Sequence, residues 1–154
     1  ITAPKPKPGG AIDISTAVKK VAPGWSVRDC GPDMDPGLRA SWGGKKNVLV
    51  THPLRKGVPC VLSRKIDVPE GKKTSLLLTV THYPKGDWLL IVKAGGKELL
   101  RKEIGKQTVT EGWLDLDIDL SAFAGKTVNV ELLNHPDEWS WEAGYWARIA
   151  IESK

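Results

Sequence analysis

Between Trp113 and Leu133 apolar and polar residues alternate with a period of two, which fixes the local structure more firmly than any other stretch of the chain. Side chains of a strand point alternately to opposite faces, so Leu114, Leu116, Ile118 and Leu120 share one face while Asp115, Asp117 and Asp119 share the other. After the turn Ala122-Phe123-Ala124-Gly125-Lys126 the pattern resumes with Val128, Val130 and Leu132. Sheets with one dry face must cover it, and a second sheet is the usual cover. The three aspartates stand about 7 Å apart along the strand. No loop flanks them, so they read as a solvated face rather than a catalytic pair of carboxylates.

The same reading extends upstream. Strands are predicted over 47–51, ended by His52-Pro53, and over 60–68, ended by Pro69-Glu70-Gly71. Residues 74–82 contain Leu76-Leu77-Leu78, the mark of a central strand covered on both faces. Residues 88–93 and 97–103 form a hairpin around Ala94-Gly95-Gly96, and 145–151 closes the chain. Asp29 to Gly37 is loop, whereas 12–21 suits either a short helix or an opening strand. The expected fold is all-β: a single antiparallel β-sandwich of jelly-roll type over residues 11–154, preceded by a Pro-rich linker over residues 1–10.

Trp113, the alternating strand, Asp119-Leu120-Ser121-Ala122-Phe123-Ala124-Gly125-Lys126-Thr127-Val128, and the closing Tyr145-Trp146-Ala147-Arg148-Ile149-Ala150-Ile151 together resemble the second half of galactose-binding-like β-sandwich domains, many of which are carbohydrate-binding modules. The likeness covers about residues 65–152. It implies a jelly roll with a ligand site on its loops or on a concave sheet face, where Arg64 or Lys93 would matter. It also implies structural calcium as a candidate cofactor, for which Asp33 and Asp35, two apart in a Gly-containing loop, are the candidate ligands.

Composition narrows the function. The chain has 154 residues and a formal charge of +5, but its lysines are scattered among turns and strand edges, where they discourage edge-to-edge pairing. No nucleic-acid partner is expected, and no apolar run is long enough for membrane insertion. Seven Trp stand beside one Phe and two Tyr; Trp suits surfaces that use an apolar face and a polar tip together. Two cysteines, Cys30 and Cys60, lack metal-type spacing and are expected to form one disulfide, which requires an oxidising compartment. The chain begins at Ile1 and runs into Pro-rich sequence, so it reads as a module excised from a larger secreted or periplasmic protein.

Three histidines carry a common signature: Thr51-His52-Pro53, Thr81-His82-Tyr83-Pro84 and Asn134-His135-Pro136. Counting strand directions in an antiparallel sandwich brings all three to one rim. That rim also receives Arg55, Tyr83, Asp87, Asp137, Glu138, Trp139, Trp141 and Glu142, with Trp88 at its base. Trp25, Trp113 and Trp146 are assigned to the core.

The expected function is a non-catalytic carbohydrate-binding accessory module. It would stack a glycan or polysaccharide on rim Trp and read its hydroxyls with the rim's polar groups, beside other domains of its parent protein. Two alternatives stand. One is a structural or protein-interaction sandwich packing on a neighbouring domain. The other is a metal-dependent hydrolase centred on His52, His82 and His135. No nucleophile-elbow or phosphate-loop motif supports catalysis.

Overall fold

A computed structural model describes residues 13–154, so the Pro-rich segment 1–10 lies outside the described residues. The chain folds as two antiparallel five-stranded sheets packed face to face. The elements are α1 (Ile14–Val21), β1 (Ser26–Arg28), β2 (Gly37–Trp42), β3 (Lys45–Thr51), β4 (Cys60–Asp67), β5 (Thr74–His82), β6 (Trp88–Ala94), β7 (Lys97–Ile104), β8 (Leu114–Asp119), β9 (Thr127–His135) and β10 (Gly144–Ser153). One sheet has the order β1-β4-β9-β6-β7 and the other β2-β3-β10-β5-β8. This is the all-β sandwich expected from the alternation.

The dry face of β8 behaves as its pattern requires. Leu114, Leu116, Ile118 and Leu120 join the core between the sheets, and Asp115, Asp117 and Asp119 remain exposed. The core's largest members are Trp88 and Trp146, each 0% exposed, with ring centroids 5.1 Å apart. The segment left open between helix and strand is a helix. Asp13 caps it by accepting from the Thr16 amide at 2.8 Å, and Ile14, Ala17, Val18 and Val21, at helical spacing, lie against the core.

The sandwich is tied across its layers at one end. The Thr51 hydroxyl on β3 accepts from Asn134 Nδ2 on β9 at 2.9 Å and from Trp146 Nε1 on β10 at 3.0 Å. Trp88 Nε1 on β6 donates to the Thr81 carbonyl on β5 at 3.0 Å. Gly144 permits the close approach: a Cβ there would lie 3.0 Å from Asn134 Nδ2 and 3.1 Å from the Trp88 ring.

The sequence pattern did not reveal the β2–β3 hairpin, which turns at Gly43-Gly44. Only Leu49, Val50 and Thr51 of β3 pair with β10; beyond them Asn47 takes a left-handed φ of 56° and the hairpin departs from the sheet. Its tip crosses the outer face. Trp42 stacks on Tyr145 with centroids 4.4 Å apart, and the Gly43 carbonyl accepts from Trp113 Nε1 at 2.9 Å. Since Trp113 precedes β8, at the opposite edge from β2, the hairpin spans the sheet as a strap. Beneath it lies a second cluster of Val48, Val50, Ala143 and Tyr145, with Met34, Tyr83 and Trp113 at its margin. Trp113, assigned to the core from sequence, therefore anchors the strap instead.

Trp88 requires the opposite correction. Expected at the base of the rim site, it is wholly enclosed between the sheets and presents no face to a ligand. Trp88→Ala should lower the unfolding free energy by about 3–5 kcal/mol, whereas Trp139→Ala, at an exposed position, should change it by less than about 0.5 kcal/mol. Urea denaturation of the two variants checks this, and equal losses would contradict the packing described.

Candidate functional site

Register brings the expected rim together. Thr51 and His82 both pair with Gly144, and His135 pairs with Leu89, next to Trp88. The three histidines thus end strands at one end of the sandwich. Each uses Nδ1 in the same way. His52 bonds the Pro53 carbonyl at 2.8 Å, His82 the Tyr83 and Gly86 carbonyls at 2.7 Å, and His135 the Pro136 carbonyl at 2.9 Å. A carbonyl only accepts, so Nδ1 is the protonated nitrogen in all three. They fix the exits of their strands. Among the described residues the three imidazoles do not converge as a metal-ligand set, which removes the structural basis for a histidine metal centre.

The loop from β9 to β10 is organised from inside by Glu142. Expected among the ligand contacts, this residue is 1% exposed. Its carboxylate accepts from the backbone amides of Asp137 at 2.6 Å, Glu138 at 3.2 Å and Ser140 at 3.3 Å. It therefore holds the loop in place rather than meeting solvent. Trp141, beside it, has φ of 58°, a region that bulky residues rarely occupy. Its backbone packs so closely on Gly86 that a Cβ at residue 86 would lie 2.1 Å from the Trp141 carbonyl oxygen. The two loops are fitted to each other, and only glycine allows it.

The braced loop presents two indoles. Trp139 and Trp141 are the exposed large hydrophobic residues among those described, at 36% and 45%. Trp141 stacks on Tyr83 at 5.1 Å and 14°, and Tyr83 lies 6.3 Å from Trp42 at 26°, so the ring series continues onto the strap. Trp139 meets His52 edge-on at 5.3 Å. A groove of about 350 Å³ runs between the strap and the rim, lined by Trp42, Gly43, Thr81, His82, Pro84 and Gly112. Beside Gly86 an open cleft of about 410 Å³ is lined by Lys85, Asp87, Glu103, Lys106 and Glu138, among others.

Three carboxylates and two lysines share that cleft. Ligand atoms of Asp87, Glu103 and Asp137 lie within 4.8 Å of one another. Burial, then the charges of Asp137 and Glu138, raise the Asp87 carboxyl; the hydrogen bond to Asp137 and its charge raise Glu103. Glu103 was not anticipated, although β7 ends at this rim and the same counting of strand directions would have placed it there. Trp42 was also missed, because nothing in the sequence announces the strap. Arg55 and Glu138 are exposed and Tyr83 is half-buried.

Two further expectations meet different surroundings. Asp33 and Asp35 gather no third acidic ligand among the described residues. In their loop Arg39 donates to the main-chain carbonyls of Met34 at 3.3 Å and Asp35 at 2.6 Å. Cys30 and Cys60 are neighbours, as expected of a bonded pair, but stand as free thiols.

The chain has a carbohydrate-binding-module-like β-sandwich fold. Its similarity to the xylan-binding CBM22-1 domain of Paenibacillus barcinonensis Xyn10C covers 86% of this chain and 87% of that one, at 14% identity and a TM-score of 0.55. The K1 cleaved adhesin domain of Lys-gingipain from Porphyromonas gingivalis W83 is similar over 85% of this chain and 90% of that one, at 15% identity and a TM-score of 0.58. TmCBM61, in complex with β-1,4-galactotriose, is similar over 84% and 88%, at 13% identity and a TM-score of 0.52. No family model matches the sequence, and no curated protein does.

Burial pushes the Glu142 carboxyl up to about 7, against the pull of its three amide donors. A folded chain that keeps this proton after the unfolded chain has lost it is most stable below the usual glutamate range, and loses that advantage as pH rises toward 7. Unfolding free energy should fall between about pH 4.5 and pH 7, by on the order of 3 kcal/mol for this group. Glu142→Gln should flatten that slope. A wild-type profile that instead rises across the window would contradict the burial of this group.

Proposed function

We propose that this chain is a non-catalytic glycan-binding module whose contact surface is the Trp139–Trp141 loop. The observation that carries the reading is Trp141 itself. A large apolar ring stands in solvent, in a backbone conformation held by Gly86 and by the carboxylate of Glu142, and backed by Tyr83. Strain of this kind persists only where the surrounding structure enforces it, and it clusters at working sites. One face of the indole remains for a sugar's C–H face. Asp87, Asp137 and Glu138 can accept from sugar hydroxyls, and Arg55 can donate.

The Asp87–Glu103–Asp137 cluster favours a neutral sugar beside the loop, because an anionic glycan would meet those carboxylates even with Lys85 and Lys106 near them. Two structural neighbours support a polysaccharide ligand, one described as xylan-binding and the other in complex with β-1,4-galactotriose. The module would serve a larger secreted or periplasmic protein and act beside that protein's other domains. No helix among the described residues is long and apolar enough to cross a membrane.

The test is a glycan array followed by calorimetry on any hit. Trp141→Ala should weaken binding at least about tenfold while the far-ultraviolet circular dichroism and urea midpoint stay near wild type. Absence of binding to neutral plant, algal and microbial glycans would overturn the reading and favour a protein-interaction role for the exposed indoles.

A further inference from the structure

We propose that Cys30 and Cys60 are a reversible dithiol couple whose disulfide ties the start of β4 to the turn that holds His52 beneath Trp139. The strand register brings them close: β1 pairs with β4 through Arg28 and Val61, so one step further Asp29 stands opposite Cys60, and Cys30 follows directly. Each thiol perturbs the other's ionisation. Cys60 is fully enclosed, whereas Cys30 is half-buried at the end of the turn. Cys30 borders a small surface hollow with Gly31, Pro32 and Pro36, through which an oxidant can reach it.

The division of labour follows from these surroundings. The contact with Cys60 lowers the Cys30 thiol, and the same contact together with burial raises Cys60. Cys30, which reaches the surface hollow while Cys60 is enclosed, is the thiol that meets the oxidant and reacts first. It attacks the disulfide of an external oxidant, a small-molecule or protein disulfide, and releases one thiolate from it. Cys60 then gives its proton to solvent and attacks the Cys30 sulfur, expelling the second thiolate. Two protein thiols are oxidised to one disulfide, and the oxidant's disulfide is reduced to two thiols.

The consequence reaches the rim through the backbone. Cys30 forms an isolated antiparallel bridge with Pro53, and the Gly31 amide donates to the His52 carbonyl at 2.9 Å. There is little slack: a Cβ on Gly31 would lie 2.4 Å from the Pro53 carbonyl oxygen. His52 in turn meets Trp139 edge-on. The bond therefore locks the strap-bearing segment 30–60 at its base, whether or not the rim binds glycan.

The experiment is redox titration of the wild-type chain with oxidised and reduced glutathione, read by thiol counting, intact mass and thermal unfolding. The couple predicts a monomer that loses both thiols and the mass of two hydrogen atoms, with a peptide linking Cys30 to Cys60. Closing a loop of about thirty residues should raise Tm by on the order of 10 °C, reversibly with dithiothreitol. Cys30→Ser should remove the oxidised species and the Tm shift. Amide exchange should slow at Gly31 on oxidation. A stable glutathione adduct on Cys30, a disulfide-linked dimer, or two thiols unchanged by excess oxidant would each overturn the proposal.

Discussion

The Thr51 hydroxyl and the two donors that converge on it hold the histidine-bearing end of this sandwich in shape. Thr51 lies in one sheet, Asn134 in the other, and Trp146 crosses the core between them, so three buried polar groups set the separation of the layers. Buried donors without acceptors are expensive, and a hydroxyl that accepts twice satisfies both. Gly144 keeps the space free, since any side chain there would strike Asn134 and Trp88. β3, β5 and β9, which end in this region, then exit through His52, His82 and His135, each bonded to a carbonyl at its own turn. The rim is fixed before its loops begin.

Loops built on such a base can carry strain without disturbing the core. The β9–β10 loop uses one buried carboxylate to satisfy three of its own amides, which sets the direction of Trp139 and Trp141. The β5–β6 loop meets it at Gly86, and the strap completes the aromatic series from the far side of the sheet. Hydrophobic burial serves different ends in the two clusters. Between the sheets it stabilises the fold, and beneath the strap it positions Tyr83 and Trp42 behind the exposed indole. Preorganisation of this kind lowers the ordering cost of binding a ligand.

Much of this was legible in residue order. The alternation at Leu114–Leu120 gave the sandwich, and counting strand directions brought His52, His82 and His135 to one end. What escaped had identifiable reasons. Ile14, Ala17, Val18 and Val21 are helically spaced, but eight residues are a weak periodic signal even with the cap-like Asp13 before them. The strap depends on a left-handed Asn47 and on a contact between Gly43 and Trp113, 70 residues apart, which no local pattern encodes. Trp88 and Glu142 have the composition of site residues and the burial of structural ones. Sequence alternation states which face a residue occupies, but not how far a neighbouring loop has covered it.

The central claim is that exposed indoles on a braced loop meet the ligand while the enclosed ones only hold the fold. Its most direct measurement is a titration of the nitrogen-15 chain with a binding oligosaccharide, following the seven Trp indole resonances. The account predicts that Trp139 and Trp141 shift with ligand, whereas Trp88 and Trp146, whose N–H groups are bonded inside the core, stay in place and exchange slowly. Ligand-dependent shifts centred on Trp88 and Trp146, with Trp139 and Trp141 unmoved, would contradict it.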